Sequence, residues 1–276
     1  MTLRLALALL AVPLRPLPAQ SPPDLERERR EFALWLRSAP VSPYAAVARI
    51  PVGTGVTLGP ADADVPLPRA PLARVTESRG ALTLEAGGSR LPLPRHRATP
   101  LGPYRLRPSG PPGRTVLTVF EPGREAKAPS YYPYAADLVF SGPLTPATER
   151  RTHRVLALDG GEVEAVEVGT VTIPLGGGAR LRVYRIPDPS SEETELVIYF
   201  RDRTNGAGTY PAGRFVSLMP LPDGRYRLDF NRARNPFCAY SSIYPCPAPW
   251  PGNGVDAEVR AGERYEGGGL EIPELP

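Results

Sequence analysis

The chain is poor in the residues that most enzymes use. Lys127 is its one lysine, and there are two histidines, two cysteines, two methionines and two tryptophans in 276 residues. Arginine carries almost all the positive charge. It is scattered among acids rather than gathered in a basic stripe with interleaved aromatics, so no nucleic acid is expected as a partner. His96 and His153 lie far apart in sequence, which argues against a Ser/His/Asp triad, and surface or sheet-edge positions are expected for both. There is no G-x-S-x-G, no H-E-x-x-H and no P-loop. The glycines between Gly206 and Gly213 lack dinucleotide spacing and no helix follows them. No cofactor is expected. No apolar run reaches the ~20 residues that a membrane-spanning helix needs, so no transmembrane segment is expected.

What the chain has in excess is proline, 37 residues. Proline fixes φ and removes a donor, so it belongs at turns and sheet edges. The apolar stretches between prolines are short and strand-like, which points to ordered strands joined by many turns. Arg4, the apolar run Leu5 to Val12, the helix-breaking Pro13, Pro16 and Pro18, and the small Ala19 have the layout of a secretory signal. Cleavage is expected near Ala19 or Gln20, giving an exported protein, periplasmic or extracellular. The formal net charge is +4. Removing residues 1–20 takes Arg4 and Arg15 away and leaves the remainder nearly neutral.

Leu25 to Arg37 reads as the one clear helix. Asp24 can cap it, and Leu25, Phe32, Trp35 and Leu36 form an apolar stripe expected to pack on the body of the protein. After Pro40 the period changes to two. Strands are expected at 45–50, 54–58, 72–76, 81–85, 89–93, 101–106, 114–120 and 135–140. Others are expected at 153–158, 162–168, 170–174, 180–186, 196–201, 214–219, 225–230 and 257–260. Gly87-Gly88, Asp159-Gly160-Gly161, Gly176-Gly177-Gly178 and Pro222-Asp223-Gly224 mark turns, and Asp188 to Glu195 reads as an acidic surface loop. The fold class that follows is all-β: an antiparallel sandwich or partly open barrel of short strands with one N-terminal helix. Residues 21–276 are expected to form one β-rich domain.

Closely spaced polar residues gather between 196 and 263. They include Phe200-x-Asp202-x-Thr204-Asn205-Gly206, Thr209-Tyr210-x-x-Gly213-Arg214, Asp229-Phe230-Asn231-Arg232-Ala233, Asn235-Pro236-x-Cys238-Ala239, Cys246-Pro247 and Ala261-Gly262-Glu263. In order and spacing these motifs resemble the bacterial family catalogued as domain of unknown function 1684. Tyr131-Tyr132-Pro133-Tyr134 upstream resembles an aromatic-proline motif of the same family. The resemblance implies a mostly β fold and no known reaction. Three departures stand out. Phe237 and Trp250 replace prolines, and Gly252-Asn253-Gly254-Val255 stands where the family has Glu-Asn-Arg-Leu. If that Glu and Arg act in the family's site, this chain is altered there.

Read physically, Asp202 to Gly206 is a turn whose side chains bond their own backbone. Asp202 is expected either to pair with Arg214 and fix a hairpin or to floor a polar pocket. In the pocket reading Asp202, Thr204, Tyr210, Arg214, Asn231 and Asn235 bind a small polar or anionic ligand, with Arg214 gripping oxygen bidentately. The alternative is a hydrolase or isomerase with Asp229 or Glu263 as base. A third reading is a cell-envelope interaction protein with no pocket. Cys238 and Cys246, eight positions apart, are expected to form a disulfide in an exported protein. A metal site adding Asp229 or Glu263 and a reactive thiol are the alternatives, but the spacing is not a zinc signature.

Overall fold

The computed structural model describes residues 20–187, 194–247, 250 and 252–267. The signal-like segment 1–19 and the acidic residues 188–193 lie outside the described residues. Helix α1 (Pro23–Ser38) begins one residue before the expected cap. Pro23 takes the first helical position, where its missing N–H costs nothing, and Pro22 precedes it without a side-chain cap. Asp24 does not cap the helix: it lies in the first turn and pairs with Arg232. Leu25 and Leu36 are buried against the body, as the stripe predicts.

The first group of strands is β1 (Ala46–Pro51), β2 (Val56–Gly59), β3 (Val65–Pro66), β4 (Ala73–Ser78), β5 (Ala81–Ala86), β6 (Ser89–Pro92), β7 (Thr99–Leu101), β8 (Tyr104–Ser109) and β9 (Val116–Phe120). They make a four-stranded sheet, β1-β9-β8-β7, and a five-stranded sheet, β3-β2-β4-β5-β6. Their side chains share one apolar core around Leu58, Val75, Leu106, Leu117 and Val119. The strand expected at 101–106 is a hairpin, because Gly102 adopts φ +57° and turns the chain between β7 and β8.

The second group is β10 (Val139–Gly142), β11 (Thr145–Leu156), β12 (Glu162–Ile173), β13 (Ala179–Pro187), β14 (Thr194–Asp202), β15 (Arg214–Pro220), β16 (Tyr226–Asp229) and β17 (Gly254–Val255). They form an open antiparallel sheet in the order β10-β16-β15-β14-β13-β12-β11, with β17 added in parallel to β14. The two strands expected at 162–168 and 170–174 are one strand, whose pairing with β13 slips between Glu167 and Gly169. β11 begins eight residues before the expected strand. Its outward, charged residues show no alternation, as befits an edge strand protected from further pairing. Residues 257–260 are not a strand: the Val259 N–H bonds the Asp202 carboxylate instead of a ladder partner.

Period-two alternation splits β14 and β15 between two faces. Ile198, Phe200, Val216 and Leu218 pack under Phe230, Val255, Val259 and Ala261. Val197, Tyr199 and Phe215 face the other way, with Tyr184 and Trp250. A third cluster joins Ala45 and Phe120 of the first group to Tyr210, Phe237, Cys238 and Tyr244 of the second, with Trp35 of α1 against it. Among the described residues no helix is long and apolar enough to cross a membrane.

Candidate functional site

The turn after β14 is built as the sequence suggests. Asp202 Oδ1 accepts from the Thr204 N–H at 2.8 Å and hydroxyl at 2.5 Å, while Asn205 Oδ1 accepts from the Asp202 N–H at 2.6 Å. Arg214, the first residue of β15, reaches back to Asp202 Oδ2 at 2.9 Å. Its guanidinium also donates to the carbonyls of Val259 at 2.8 Å, Ala261 at 2.5 Å and Glu263 at 3.3 Å, and lies over the Phe200 ring. Both side chains of this pair are 0 % exposed. The pairing of Asp202 with Arg214 is therefore a closed structural joint, the first of the two roles the sequence suggested.

Asp229 is equally committed. Oδ1 accepts from the Asn231 N–H and side-chain amide, and Oδ2 lies 3.1 Å from Arg227 and 3.5 Å from Arg232. Asn231 clamps both backbone groups of Ala135 at 2.9 Å. Glu263 is buried at 1 % exposure; Oε2 accepts from the Asn235 N–H at 2.9 Å and Oε1 from the Tyr240 hydroxyl at 2.5 Å. Burial pushes its carboxyl up to about 7, against the lowering effect of those two donors and of nearby Arg234. Gly262 is required beside it. Its φ is +73°, and a Cβ there would stand 2.6 Å from the Phe230 carbonyl.

The expected disulfide is absent. Both cysteines are free and not at bonding distance. They share the Tyr210 hydroxyl instead, which donates to Cys238 Sγ at 3.2 Å and lies 3.1 Å from Cys246 Sγ. A disulfide needs its sulfurs about 2 Å apart. Burial pushes the Cys238 thiol up and, with both cysteines beside it, the Tyr210 hydroxyl as well. The departure at 252–255 is also structural. Asn253 bonds both backbone groups of Arg182, at 2.7 and 3.0 Å, and Gly252 holds φ +82°, which disfavours any side chain.

A concave feature lies elsewhere. A cavity of about 530 Å³ opens between α1, the loop at 157–159 and the Val197–Phe215 face of the large sheet. Its apolar walls include Phe32, Trp35, Leu158, Val197, Phe215 and Phe237. Glu28, Arg232 and Arg234 stand at the α1 side, and Arg107 and Asp159 at the side of the first strand group. Glu28, Phe32 and Trp35 fall on one helical face at i, i+4 and i+7. Asp202, Thr204, Tyr210, Arg214, Asp229, Asn231, Asn235 and Glu263 do not line this cavity. The sequence reading missed Arg107 and Asp159, because nothing local tells that distant segments will cover them.

Two outcomes are expected from this geometry. Between the ordinary carboxyl value of 4.5 and about 7, the folded protein keeps the Glu263 proton while the unfolded chain releases it. Stability from this group is thus complete below pH 4.5 and falls as pH rises through 7, by about 3 kcal/mol on the linkage relation. Glu263→Gln mimics the protonated acid and should flatten that part of the slope in denaturant titrations of both proteins across pH 4–8; an unchanged slope refutes the assignment. Separately, iodoacetamide mapping of the native protein should label the exposed Cys246 and spare Cys238 until unfolding. Equal labelling, or a mass two units low without reductant, contradicts the free-thiol arrangement.

No curated protein matches the chain. Among solved structures it is similar to the solution NMR structure of an uncharacterized protein of Haloarcula marismortui. That match has 33% identity over 50% of this chain and 76% of the other, with a TM-score of 0.43. A family described as protein of unknown function matches residues 127–264, a span that takes in Tyr131 and every polar residue from Asp202 to Glu263. The chain belongs to that family, DUF1684.

Proposed function

We propose that the protein binds a small molecule with an apolar body and one polar end, in the cavity walled by α1 and the large sheet. The observation that carries this reading is the cavity itself. Its volume of about 530 Å³ falls in the ~300–1,000 Å³ range of small-molecule sites, and its walls are aromatic and aliphatic with a few charges at the ends. Residues 202–263 contribute Phe215, Ser217, Met219, Arg232, Arg234 and Phe237 to it. They do so from the opposite side of the sheet to the sealed Asp202–Arg214 joint. Asp202, Thr204, Tyr210, Arg214, Asn231 and Asn235 then act by holding the walls in place rather than by touching the ligand.

The hydrolase or isomerase reading has one observation in its favour, the raised carboxyl of Glu263. A substrate would have to displace the Tyr240 hydroxyl and the Asn235 N–H to reach it, so binding is the preferred reading.

Decanol and decanoate, kept below their aggregation concentrations, serve as calorimetric probes. At least one is expected to bind at one site per chain. Ser217 is an exposed position on the cavity face of β15, so Ser217→Phe should fill the space without disturbing the core and should abolish binding. Absence of binding by both probes, or binding indifferent to Ser217→Phe, overturns the proposal.

We further propose that the chain is exported after cleavage near Ala19 or Gln20, on the strength of the basic start, the short apolar run and the small residue that ends it. N-terminal sequencing of protein recovered from the producing organism should begin at Gln20 or Ser21. A cytoplasmic protein that keeps Met1 to Ala19 would refute it.

A further inference from the structure

The two charged ends of the cavity are not equivalent. At the α1 end, Arg232 pairs with Asp24 and Glu28, and Arg234 pairs with Glu28, so both guanidiniums already hold carboxylates in direct contact. Arg107, on β8, is different. Its side chain is 15 % exposed, its carboxylate neighbour Asp159 stands off at 3.6 Å, and its guanidinium lies over the Phe120 ring. Asp159 is itself partly spent, because Oδ1 caps the Gly161 N–H at 2.9 Å. Arg49 approaches the same group, donating to the Gly160 carbonyl at 2.7 Å and feeling the charges of both Asp159 and Arg107. Around Asp159, two guanidiniums therefore stand against one carboxylate; Glu195, on β14, also lines the cavity.

Tyr244 neighbours the same charges, although it does not itself line the cavity. The Tyr244 hydroxyl is buried without a hydrogen-bond partner among the described residues, in a residue 3 % exposed, and it lies within the fields of Arg107, Asp159 and Arg49. A partly buried guanidinium whose carboxylate stands off at 3.6 Å is a state that an incoming acceptor relieves.

We infer that the Arg107 end is the anion-recognising end of the cavity, and that the ligand class is an amphipathic anion, a carboxylate whose apolar chain or ring lies between Trp35, Phe215 and Phe237. This inference rests on the ligand-binding reading of the same cavity and adds the charge and direction of what it takes. Arg107 offers two parallel N–H groups to a carboxylate, the fork geometry that makes such pairs strong and directional. The already paired Arg232 and Arg234 form the far wall.

The test compares decanoate with decanol, which share a chain and differ in the head. Decanoate is expected to bind at least tenfold more tightly to the native protein. Arg107→Met should bring the ratio of the two affinities close to one. Arg105→Met, on the same strand but outside the cavity wall, should leave the ratio unchanged. If both probes bind equally to the native protein, or if Arg105→Met collapses the ratio as Arg107→Met does, the anion-recognising end is disproved while the cavity reading stands. If neither probe binds, the cavity reading itself has failed.

Discussion

Arg214 carries a charge with no exposed surface, and the second half of the structure is arranged around supplying acceptors to its two terminal nitrogens. A buried guanidinium without partners is far too costly to tolerate, and breaking a buried pair by removing one partner costs about 3–5 kcal/mol. Here the four partners come from two places: Asp202 at the end of β14, and the carbonyls of Val259, Ala261 and Glu263 from a segment that has no ladder of its own. The ion pair thus substitutes for sheet hydrogen bonding along residues 257–263. By fixing that segment it places Gly262 against the Phe230 carbonyl and carries Glu263 into its buried seat. The polar residues between Asp202 and Glu263 are joints of this framework. That is why they can be dense in polar groups and still present no open site.

The fold was legible where alternation was strong. Val197 to Phe200 and Phe215 to Leu218 announce two-faced strands, and the glycine turns at 159–161 and 176–178 announce the hairpins that join β11, β12 and β13. It was less legible where pairing did not follow hydrophobicity. β11 is outward and charged, and the strand read at 101–106 hid a turn made by one glycine. The pairing of Asp202 with Arg214 could be anticipated because both ends lie on one short hairpin. The cavity could not. Arg107 sits at an outward position of β8, and only the long-range approach of α1 and the 157–159 loop turns that outward face into a wall. The cysteines were misleading for a chemical reason: eight-residue spacing allows a bridge, but the Tyr210 hydroxyl provides a partner for both sulfurs.

The two sides of the large sheet consequently divide the labour. One is dry and locked, with Phe200, Phe230 and Val259 packed around the buried ion pair. The other is aromatic and incompletely filled, with Tyr199, Phe215 and Trp250 stacked toward β13 and open space toward α1. Rigid polar joints on one side let the facing strands hold a concave surface on the other. Removing a joint would be felt as loss of the wall's shape as much as loss of stability.

The attachment of α1 has a kinetic side. The helix is the first element among the described residues, yet Asp24 and Glu28 meet their arginine partners only 208 and 204 residues later. Contacts so distant in sequence form late in folding, because loop closure must precede the reward of contact. The helix that walls the cavity therefore spends synthesis with Phe32 and Trp35 uncovered, and it can dock only once almost the entire polypeptide has been made.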